Sequence, residues 1–408
     1  MHSFSFSDFA LTSSQKRFQG ALANNRLFKL IGGGSLTDAT RVGGVAQLYA
    51  LAGAQCIDIA PDMAVVHSVS ESLNALPTSV ERPLVMVSLP LDPDPHFRKM
   101  HVSEPLCTGC DACTSICPTD AIEVKQGLLD IEQPLCYGCG RCVPECPTDA
   151  LSMTPHHPDS EDVLPILRHP SVEAVEIHSG YADDALIEPF LHVYGEALNG
   201  KQLAICFQAS QISKERWKPF VARWIEIQRA VLPEARLVIQ VDGRPMSGMS
   251  KDLSLTASAM GGVDGLHPVP VKKKDVQPAI HAACVLWEGL SAVERKQVYI
   301  MLSGGVNENT ITQLEDSVSS EYVSGIGMGT VARQAVWDDL SSLLPRPVDY
   351  LSQKSATFDR ALGRAKKITE PWLERGFECR KPSVESRRMS GNTPSEALLD
   401  TLPKLACL

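Results

Sequence analysis

Eight cysteines between residues 107 and 147 fall into two copies of one pattern, Cys-x2-Cys-x2-Cys-x3-Cys-Pro. Cysteines spaced in this way lie on one tight loop, so three sulfurs of each copy converge on three corners of a [4Fe–4S] cube. The residues flanking the cysteines repeat as well, at an offset of roughly 29 residues, which indicates an internal duplication. The sequence therefore predicts a duplicated unit that binds two [4Fe–4S] clusters.

The fourth cysteine of each copy stands just before a proline. In bacterial two-cluster ferredoxins, the ligand at this place belongs to the cluster of the other copy. We therefore expect one cluster to be held by Cys107, Cys110, Cys113 and Cys146. The second cluster is then held by Cys117, Cys136, Cys139 and Cys142.

Zinc and disulfides explain this spacing less well. A zinc site takes four ligands per ion from paired knuckles, and neither the third cysteine interval nor the Cys-Pro ending suits that geometry. Cysteines packed this closely in a long chain without a recognisable secretory signal are typical of metal binding rather than of disulfides. Five cysteines, with no metal-ligand spacing, are left over: Cys56, Cys206, Cys284, Cys379 and Cys407.

The charge balance narrows the classes of partner. The 408 residues include 38 Lys and Arg against 48 Asp and Glu, a formal net charge of −10. This balance disfavours nucleic acids and anionic membrane surfaces as partners. No apolar run reaches the length of about 18 residues that a spanning helix needs, so no membrane span is predicted.

Nine short apolar runs separated by helix-like stretches predict buried parallel strands. A (β/α)8 barrel, an α/β fold, needs eight such strands, so one run is expected to lie outside the barrel. An open doubly wound sheet is the alternative. The runs are 27–31, 56–60, 84–89, 174–178, 203–208, 237–241, 263–266, 298–302 and 322–326.

These patterns divide the chain into six segments. Residues 1–25 are predicted to be a disordered extension, although a targeting segment is also considered, because the stretch contains one acidic residue, Asp8. The ferredoxin-like unit is an insertion after the third run, with Pro93 to His96 as its exit. The remaining segments are barrel at 26–98 and 156–345, the insertion at 99–155, a C-terminal helix within 346–379 and a mobile tail at 380–408.

Glycines cluster after the last two predicted strands, at Gly304 and Gly305 and again at Gly327 and Gly329. In barrels, the loops after the seventh and eighth strands commonly bind phosphate, because glycines let backbone N–H groups approach an anion. The pattern predicts a phosphate or FMN site. Tight strand-to-helix turns explain the same glycines equally well.

Polar residues interrupt the apolar strands and must pair or face a wet cavity, because an unpaired buried charge is costly. They are Lys29, Asp58, Glu176, His178, Gln208, Gln240 and Asp242. Strand alternation places Glu176 and His178 on one face, and Gln240 and Asp242 on one face. Lys29 and His178 are candidate catalytic residues, but a salt bridge between Lys29 and Asp58 and a structural role for His178 are the simpler interpretations. No nucleophile and base motif accompanies them.

The chain resembles the light-dependent period protein family (LdpA) of cyanobacteria and of plastid-bearing organisms. The likeness covers roughly residues 26–345 and is carried by Phe28 to Ile31, by Leu48 to Asp58, by Asp62 to Val66 and by the cysteine repeat. One departure is Gly32, where a cysteine is expected in the family. A thiol at that position therefore plays no part here.

The resemblance implies an iron–sulfur protein that reports the light or electron-transport state of the cell to the circadian clock. It implies clock-input kinases as partners, and cyanobacterial cytoplasm or chloroplast stroma as the compartment. The residues themselves predict a redox sensor or electron relay with a donor or acceptor protein as partner. A ferredoxin-fused flavin-dependent oxidoreductase and a scaffold stabilised by its clusters are the alternatives.

Overall fold

The barrel predicted from the sequence is present. The computed structural model describes residues 10–92, 94–179, 182–208, 214–243, 276–315, 317, 321–343 and 355–375. Within these ranges the strands are β1 (Leu27–Ile31), β2 (Cys56–Ile59), β3 (Leu84–Pro90), β4 (Arg98–Val102), β5 (Ile122–Lys125), β6 (Leu128–Ile131), β7 (Leu151–Pro155), β8 (Ala174–His178), β9 (Gln202–Gln208), β10 (Leu237–Asp242), β11 (Val298–Ser303) and β12 (Val323–Met328).

Eight of these strands pair in parallel and close on themselves in the order β1-β12-β11-β10-β9-β8-β3-β2. Pairing of β1 with both β12 and β2 leaves no sheet edge, which excludes the open doubly wound alternative. The barrel strands correspond to eight of the nine predicted runs. The ninth run, 263–266, lies outside the described residues.

The barrel strands are buried on both faces, since helices cover the outside and side chains fill the interior. Leu30 and Ile57 exemplify the outer layer, which packs on the helices. The described helices are Ser13–Ala23, Ala39–Leu51, Met63–Asn74, Ser160–Arg168, Ile187–Tyr194, Lys214–Val231, Gln277–Gly289, Ala292–Arg295, Thr310–Glu315, Thr330–Leu343 and Ala356–Leu373. Short 3-10 helices span Glu104–Leu106, Val143–Glu145, Asp184–Leu186 and Gly195–Leu198.

The prediction of disorder over 1–25 was wrong for the part that the structure describes. Ser13–Ala23 is a helix whose first turn is closed by a capping box between Thr12 and Gln15. Its side chains Phe18 and Leu22 are fully buried among inward-facing residues at the amino-terminal ends of the strands. The helix therefore closes the bottom of the barrel, and this burial offsets the polar composition of the segment.

The insertion leaves the barrel after β3 and returns before β8. Its two ends pair as an antiparallel ladder, in which β4 runs against β7. A second antiparallel pair, β5 with β6, lies between the two cysteine motifs. This arrangement brings the ends of the insertion together, so the barrel can accommodate it in one loop.

The predicted C-terminal helix spans Ala356–Leu373 and packs against the helices Thr330–Leu343 and Ala39–Leu51. Ser355 caps its start by accepting a hydrogen bond from the Phe358 N–H. Trp372 is fully buried at its far end. The predicted tail at 380–408, and both Cys379 and Cys407, lie outside the described residues. Among the residues described, no helix has the length and apolarity needed to cross a membrane.

Candidate functional site

The eight cysteines of the repeat line two separate cavities in the insertion. One cavity is lined by Cys107, Cys110, Cys113 and Cys146. The other is lined by Cys117, Cys136, Cys139 and Cys142. Each cavity thus combines three thiols of one motif with the fourth thiol of the other, which is the grouping that crossed ligation requires. Four convergent thiols suit an iron–sulfur cluster, which takes cysteine thiolates as its ligands.

Glycines make the cysteine loops tight enough to curl around the cavities. Gly109 and Gly138, at equivalent places in the two motifs, both have positive φ. A Cβ at Gly109 would lie 2.4 Å from the Gly127 carbonyl oxygen, and one at Gly138 would lie 2.3 Å from the Arg98 carbonyl oxygen. Backbone crowding as well as conformation therefore requires glycine at both positions.

Backbone N–H groups point at the sulfurs. Ala121 donates to Cys117 Sγ at 3.3 Å, and Ala150 donates to Cys146 Sγ at 3.2 Å, in the same place of each motif. Slight burial opposes ionisation of Cys146, but hydrogen bonds from Thr148 and Ala150 outweigh it and lower the pKa of that thiol. These hydrogen bonds favour the thiolate of Cys146, the form in which cysteine binds metal, whereas burial raises the pKa of the Cys113, Cys139 and Cys142 thiols.

The two cavities differ in their surroundings. Cys110 in the first cavity is exposed to solvent. The second cavity faces the barrel, where Tyr137 between two of its cysteines is only 7% exposed. The guanidinium of Arg333, at the start of the last barrel helix, lies 4.4 Å from the Tyr137 ring centroid. We call the first the outer cavity and the second the inner cavity.

A buried lysine lies beside the inner cavity. Lys99 Nζ donates to the carbonyl oxygens of Gln133 and Cys136, both at 2.7 Å, and to that of Ser35. Burial lowers the pKa of this amine to about 8. Three carbonyl oxygens thus hold the ammonium group of Lys99 next to Cys136.

The polar residues predicted inside the strands meet in the barrel interior. Lys29 Nζ is bonded to Glu176 Oε2 and lies 3.5 Å from Asp58 Oδ2. Ser88 donates to Asp58 at 2.7 Å, and Gln240 donates to Glu176 at 2.7 Å. The expected salt bridge between Lys29 and Asp58 is therefore present, with Glu176 as the closer partner. Nothing is described of the Gln208 side chain.

Charge balance in this network sets its protonation. Burial opposes the charge on Lys29, but Glu176 and Asp58 outweigh burial and raise its pKa. Burial likewise opposes ionisation of Glu176, but Lys29 lowers the pKa of that carboxyl. For Asp58, burial outweighs Lys29 and raises the pKa to about 6. One lysine thus neutralises one carboxylate fully, and the second carboxyl is protonated more readily.

We expect Asp58 to make the stability of the barrel depend on pH. A carboxyl whose pKa is raised from 3.8 to about 6 on folding stabilises the folded state fully below pH 3.8, and this contribution is lost as the pH rises through about 6. The free energy of unfolding should lose up to about 3 kcal/mol between about pH 4 and pH 6. Asp58→Asn should remove this loss, as measured by urea unfolding across that range.

The matched control for this experiment is Asp338→Asn, which changes an exposed carboxyl on a helix. It should leave the pH profile of the wild-type protein unchanged. The expectation is contradicted if the Asp58→Asn variant keeps the same fall in stability as the wild-type protein.

Further charged groups lie at the mouth of the barrel, where the strands end. His178 and Asp242 end β8 and β10, and Asp94 and His96 from the segment between β3 and β4 cross over them. Burial opposes protonation of His178, but Asp94, Glu176 and Asp242 outweigh it and raise its pKa to about 9. The predicted sharing of one face by Glu176 and His178 is confirmed by a 3.5 Å approach of His178 Nε2 to Glu176 Oε1.

The glycines proposed for a phosphate site take two different roles. Gly304 and Gly305 have positive φ, 59° and 107°, in the turn after β11. Gly327 faces the barrel interior, where a Cβ would lie 2.9 Å from Ile31 Cδ1. Gly329 lies beside Arg333, whose Nη1 donates to the carbonyl oxygens of Ile31 and Gly32. The glycines thus accommodate tight turns and protein side chains.

Sequence reasoning missed five residues that shape these sites: Asp94, His96, Lys99, Tyr137 and Arg333. Tyr137 follows a cysteine of the repeat, where the first motif has Thr108, so this difference between the copies was a usable signal. No motif marked the other four as residues of a site. Only the fold brings them to the barrel mouth and the inner cavity.

Two family models match the chain. The LdpA Fe-S cluster-binding domain matches residues 108–156. The Light dependent period A C-terminal domain matches residues 276–371. The first match covers most of the cysteine repeat, and it supports iron–sulfur binding by the insertion.

Among solved structures, tryptophan synthase from M. tuberculosis is 11% identical, with a TM-score of 0.41 over 90% of this chain and 100% of that chain. A (S)-3-O-geranylgeranylglyceryl phosphate synthase from Thermoplasma acidophilum is 9% identical, with a TM-score of 0.34 over 88% of this chain and 100% of that chain. Both likenesses are weak, and the barrel assignment rests on the strand pairing described above.

A curated relative is much more similar in sequence. Light dependent period A of Synechococcus elongatus is 31% identical over 333 residues, which cover 79% of this chain and 84% of the relative. The aligned length is far greater than the cysteine repeat alone, so the likeness includes the barrel. This chain belongs to the Light dependent period A family.

Proposed function

We propose that this protein is an iron–sulfur redox sensor that binds two [4Fe–4S] clusters, one in each cysteine-lined cavity. The grouping of the eight cysteines is the observation that carries the proposal, since each cavity presents four thiols from both motifs. Bound clusters would supply one-electron chemistry at potentials between roughly −700 and +450 mV. The ligands are Cys107, Cys110, Cys113 and Cys146 in the outer cavity and Cys117, Cys136, Cys139 and Cys142 in the inner cavity.

The surroundings suit the two cavities to different tasks. Exposed Cys110 puts the outer cavity within reach of a donor or acceptor protein. At the inner cavity, Tyr137 packs against Arg333, which is itself bonded to the end of β1. A change in the charge of a cluster in the inner cavity would therefore act on Arg333, which contacts both Tyr137 and β1. The geometry therefore supports exchange of electrons at the outer side and readout by the barrel at the inner side.

The relative's name, Light dependent period A, refers to light and to a period. We propose that this chain reports the light or electron-transport state to the circadian clock and that clock-input kinases are its partners. Cyanobacterial cytoplasm or chloroplast stroma is the compartment in which this task would be done. The test compares kinase binding to oxidised and reduced protein at equal concentration. An affinity that differs between the two states supports the proposal, and equal binding contradicts it.

The cofactor itself is tested on protein purified without oxygen. We expect about eight iron and eight sulfide per chain, and an electron paramagnetic resonance signal that appears on reduction with dithionite. Zinc in place of iron, or protein without inorganic sulfide, would overturn the proposal. Visible flavin bands in the same sample would instead favour the alternative, an FMN-linked oxidoreductase with FMN at Gly304, Gly305, Gly327 and Gly329 and with Lys29 and His178 near the substrate.

Lys99 is expected to raise the potential of the inner cluster. A cation near the cluster stabilises the more negative, reduced form, so Lys99→Met should lower that potential by ~50 mV, corresponding to roughly 1 kcal/mol of Coulomb energy. A redox titration followed by paramagnetic resonance measures the shift. Lys125→Met, which removes an exposed lysine of the same insertion, is the control and should change neither potential. Equal shifts in the two variants would show that Lys99 has no specific effect.

A further inference from the structure

The segment that leads from the barrel into the insertion places an aspartate and a histidine over the barrel mouth. Asp94 and His96 lie between β3 and β4, and they meet His178 and Asp242 at the ends of β8 and β10. None of these four residues lines either cysteine cavity. They therefore form a second cluster of metal-ligating side chains, separate from the eight cysteines.

The spacing of Asp94, His96 and His178 is close to that of ligands around one ion, with Asp242 next to His96. His178 Nδ1 lies 3.8 Å from Asp94 Oδ2, and His96 Nε2 lies 3.9 Å from Asp242 Oδ2. Both separations are too long for hydrogen bonds. Two ligand atoms that each lie about 2.1 Å from one metal ion are separated by at most about 4.2 Å. Ligand atoms of Asp94, His96 and His178 lie within 4.8 Å of one another, a bound somewhat wider than this limit, so the side chains would close slightly around an ion.

Among the described residues, two buried atoms of the group have no partner at hydrogen-bond distance. They are His178 Nδ1 and Asp242 Oδ1, on residues only 6% and 5% exposed. An unsatisfied buried polar atom is costly, so a protein seldom retains two of them at one place without a ligand. His178 Nδ1 faces Asp94 across the gap described above, and a cation in this gap would satisfy it.

Carboxylates also support the imidazoles from behind. His96 Nδ1 lies 2.6 Å from Asp94 Oδ1 and would face the ion together with that carboxylate, while Asp242 Oδ2 lies 3.9 Å from the opposite ring nitrogen, His96 Nε2. Glu176 Oε1 lies 3.5 Å from His178 Nε2, which leaves His178 Nδ1 to face Asp94. Histidines that bind metals typically have such an acceptor at the other ring nitrogen, because it fixes the tautomer and the ring orientation.

We propose that the barrel mouth binds one divalent transition-metal ion through Asp94, His96 and His178, with Asp242 beside it. Two imidazoles with carboxylates favour Zn²⁺, Fe²⁺ or Mn²⁺ over Ca²⁺ and Mg²⁺, which take oxygen ligands. The site is independent of the iron–sulfur proposal, because it uses none of the eight cysteines. It also lies where ligands of (β/α)8 barrels bind, at the carboxyl ends of the strands.

The test uses Mn²⁺ as the probe on the full-length, cluster-loaded protein in its oxidised form. Mn²⁺ suits carboxylates and competes poorly for thiolates, so it reports on the barrel mouth rather than on the cysteines. We expect one Mn²⁺ to bind per chain, seen as loss of the free-ion paramagnetic resonance signal. Added Zn²⁺ should displace it, because nitrogen and oxygen sites bind Zn²⁺ more tightly.

His96→Gln is the main variant, because the His96 side chain is 30% exposed and its change is tolerated more easily than that of buried His178. It should weaken Mn²⁺ binding at least tenfold and leave the iron content unchanged. His178→Gln should do the same wherever the variant folds, as judged by circular dichroism. His101→Gln changes an exposed histidine of β4 and should bind Mn²⁺ like the wild-type protein.

Two results would overturn the proposal. One is the lack of saturable Mn²⁺ binding by protein with its full iron content, which would leave the four residues as an ion-pair network only. The other is unchanged Mn²⁺ affinity in folded His96→Gln protein. Iron and sulfide are measured on the same samples, so failure of this site is distinguished from failure of the cluster proposal.

Discussion

Lys29→Met is expected to destabilise the barrel by about 3–5 kcal/mol, because it leaves Glu176 and Asp58 buried without their cation. Both carboxyls lie in the closed interior, where water cannot replace the ammonium group. Burial would then dominate, and at least one carboxyl would have to take up a proton near neutral pH. Urea unfolding followed by tryptophan fluorescence measures the loss.

Two further variants separate the lost charge pair from a general packing defect. Lys16→Met removes an exposed lysine of the first helix and should change stability by less than about 0.5 kcal/mol. Adding Glu176→Gln to Lys29→Met removes a buried carboxylate that has lost its cationic partner, so the double variant should regain part of the lost stability. A double variant that loses the sum of the two single effects would show that the charges are not coupled.

Pairs of cysteine substitutions should give iron contents that only crossed ligation explains. Cys117→Ser combined with Cys142→Ser removes two ligands of the same cavity, so about four irons should remain. Cys117→Ser combined with Cys113→Ser removes one ligand from each cavity, so nearly all iron should be lost. Ligation within each motif predicts the opposite result for these two pairs. Iron and sulfide analysis of protein purified without oxygen distinguishes the two schemes.

Cys284→Ala is the control for this series, because Cys284 is buried in a barrel helix, far along the chain from the repeat. Its iron content should match that of the wild-type protein. Equal iron in the two paired variants would contradict the grouping seen in the cavities. If the grouping holds, paramagnetic resonance of the protein with both Cys117→Ser and Cys142→Ser reports the outer cluster alone.

Local patterns were sufficient for the parts of the fold that depend on short-range chemistry. Continuous apolar runs such as Leu237–Val241 predicted buried strands, because parallel strands covered by helices need apolar residues on both faces. The alternation of Glu176 with His178 correctly placed both on one face. The first helix escaped prediction because six of its eleven residues are polar, although its capping box was visible at Thr12 to Gln15.

Cysteine spacing and apolar periodicity follow from local geometry, so they were enough to predict one duplicated cysteine unit and a set of buried parallel strands. Which groups meet across the fold depends on the folded chain as a whole. Asp94 and His96 reach His178 because the insertion leaves the barrel over its mouth. Arg333 reaches Tyr137 because the insertion folds back onto the last barrel helix. Contacts between residues far apart in the chain depend on the barrel's closure, which no local pattern encodes.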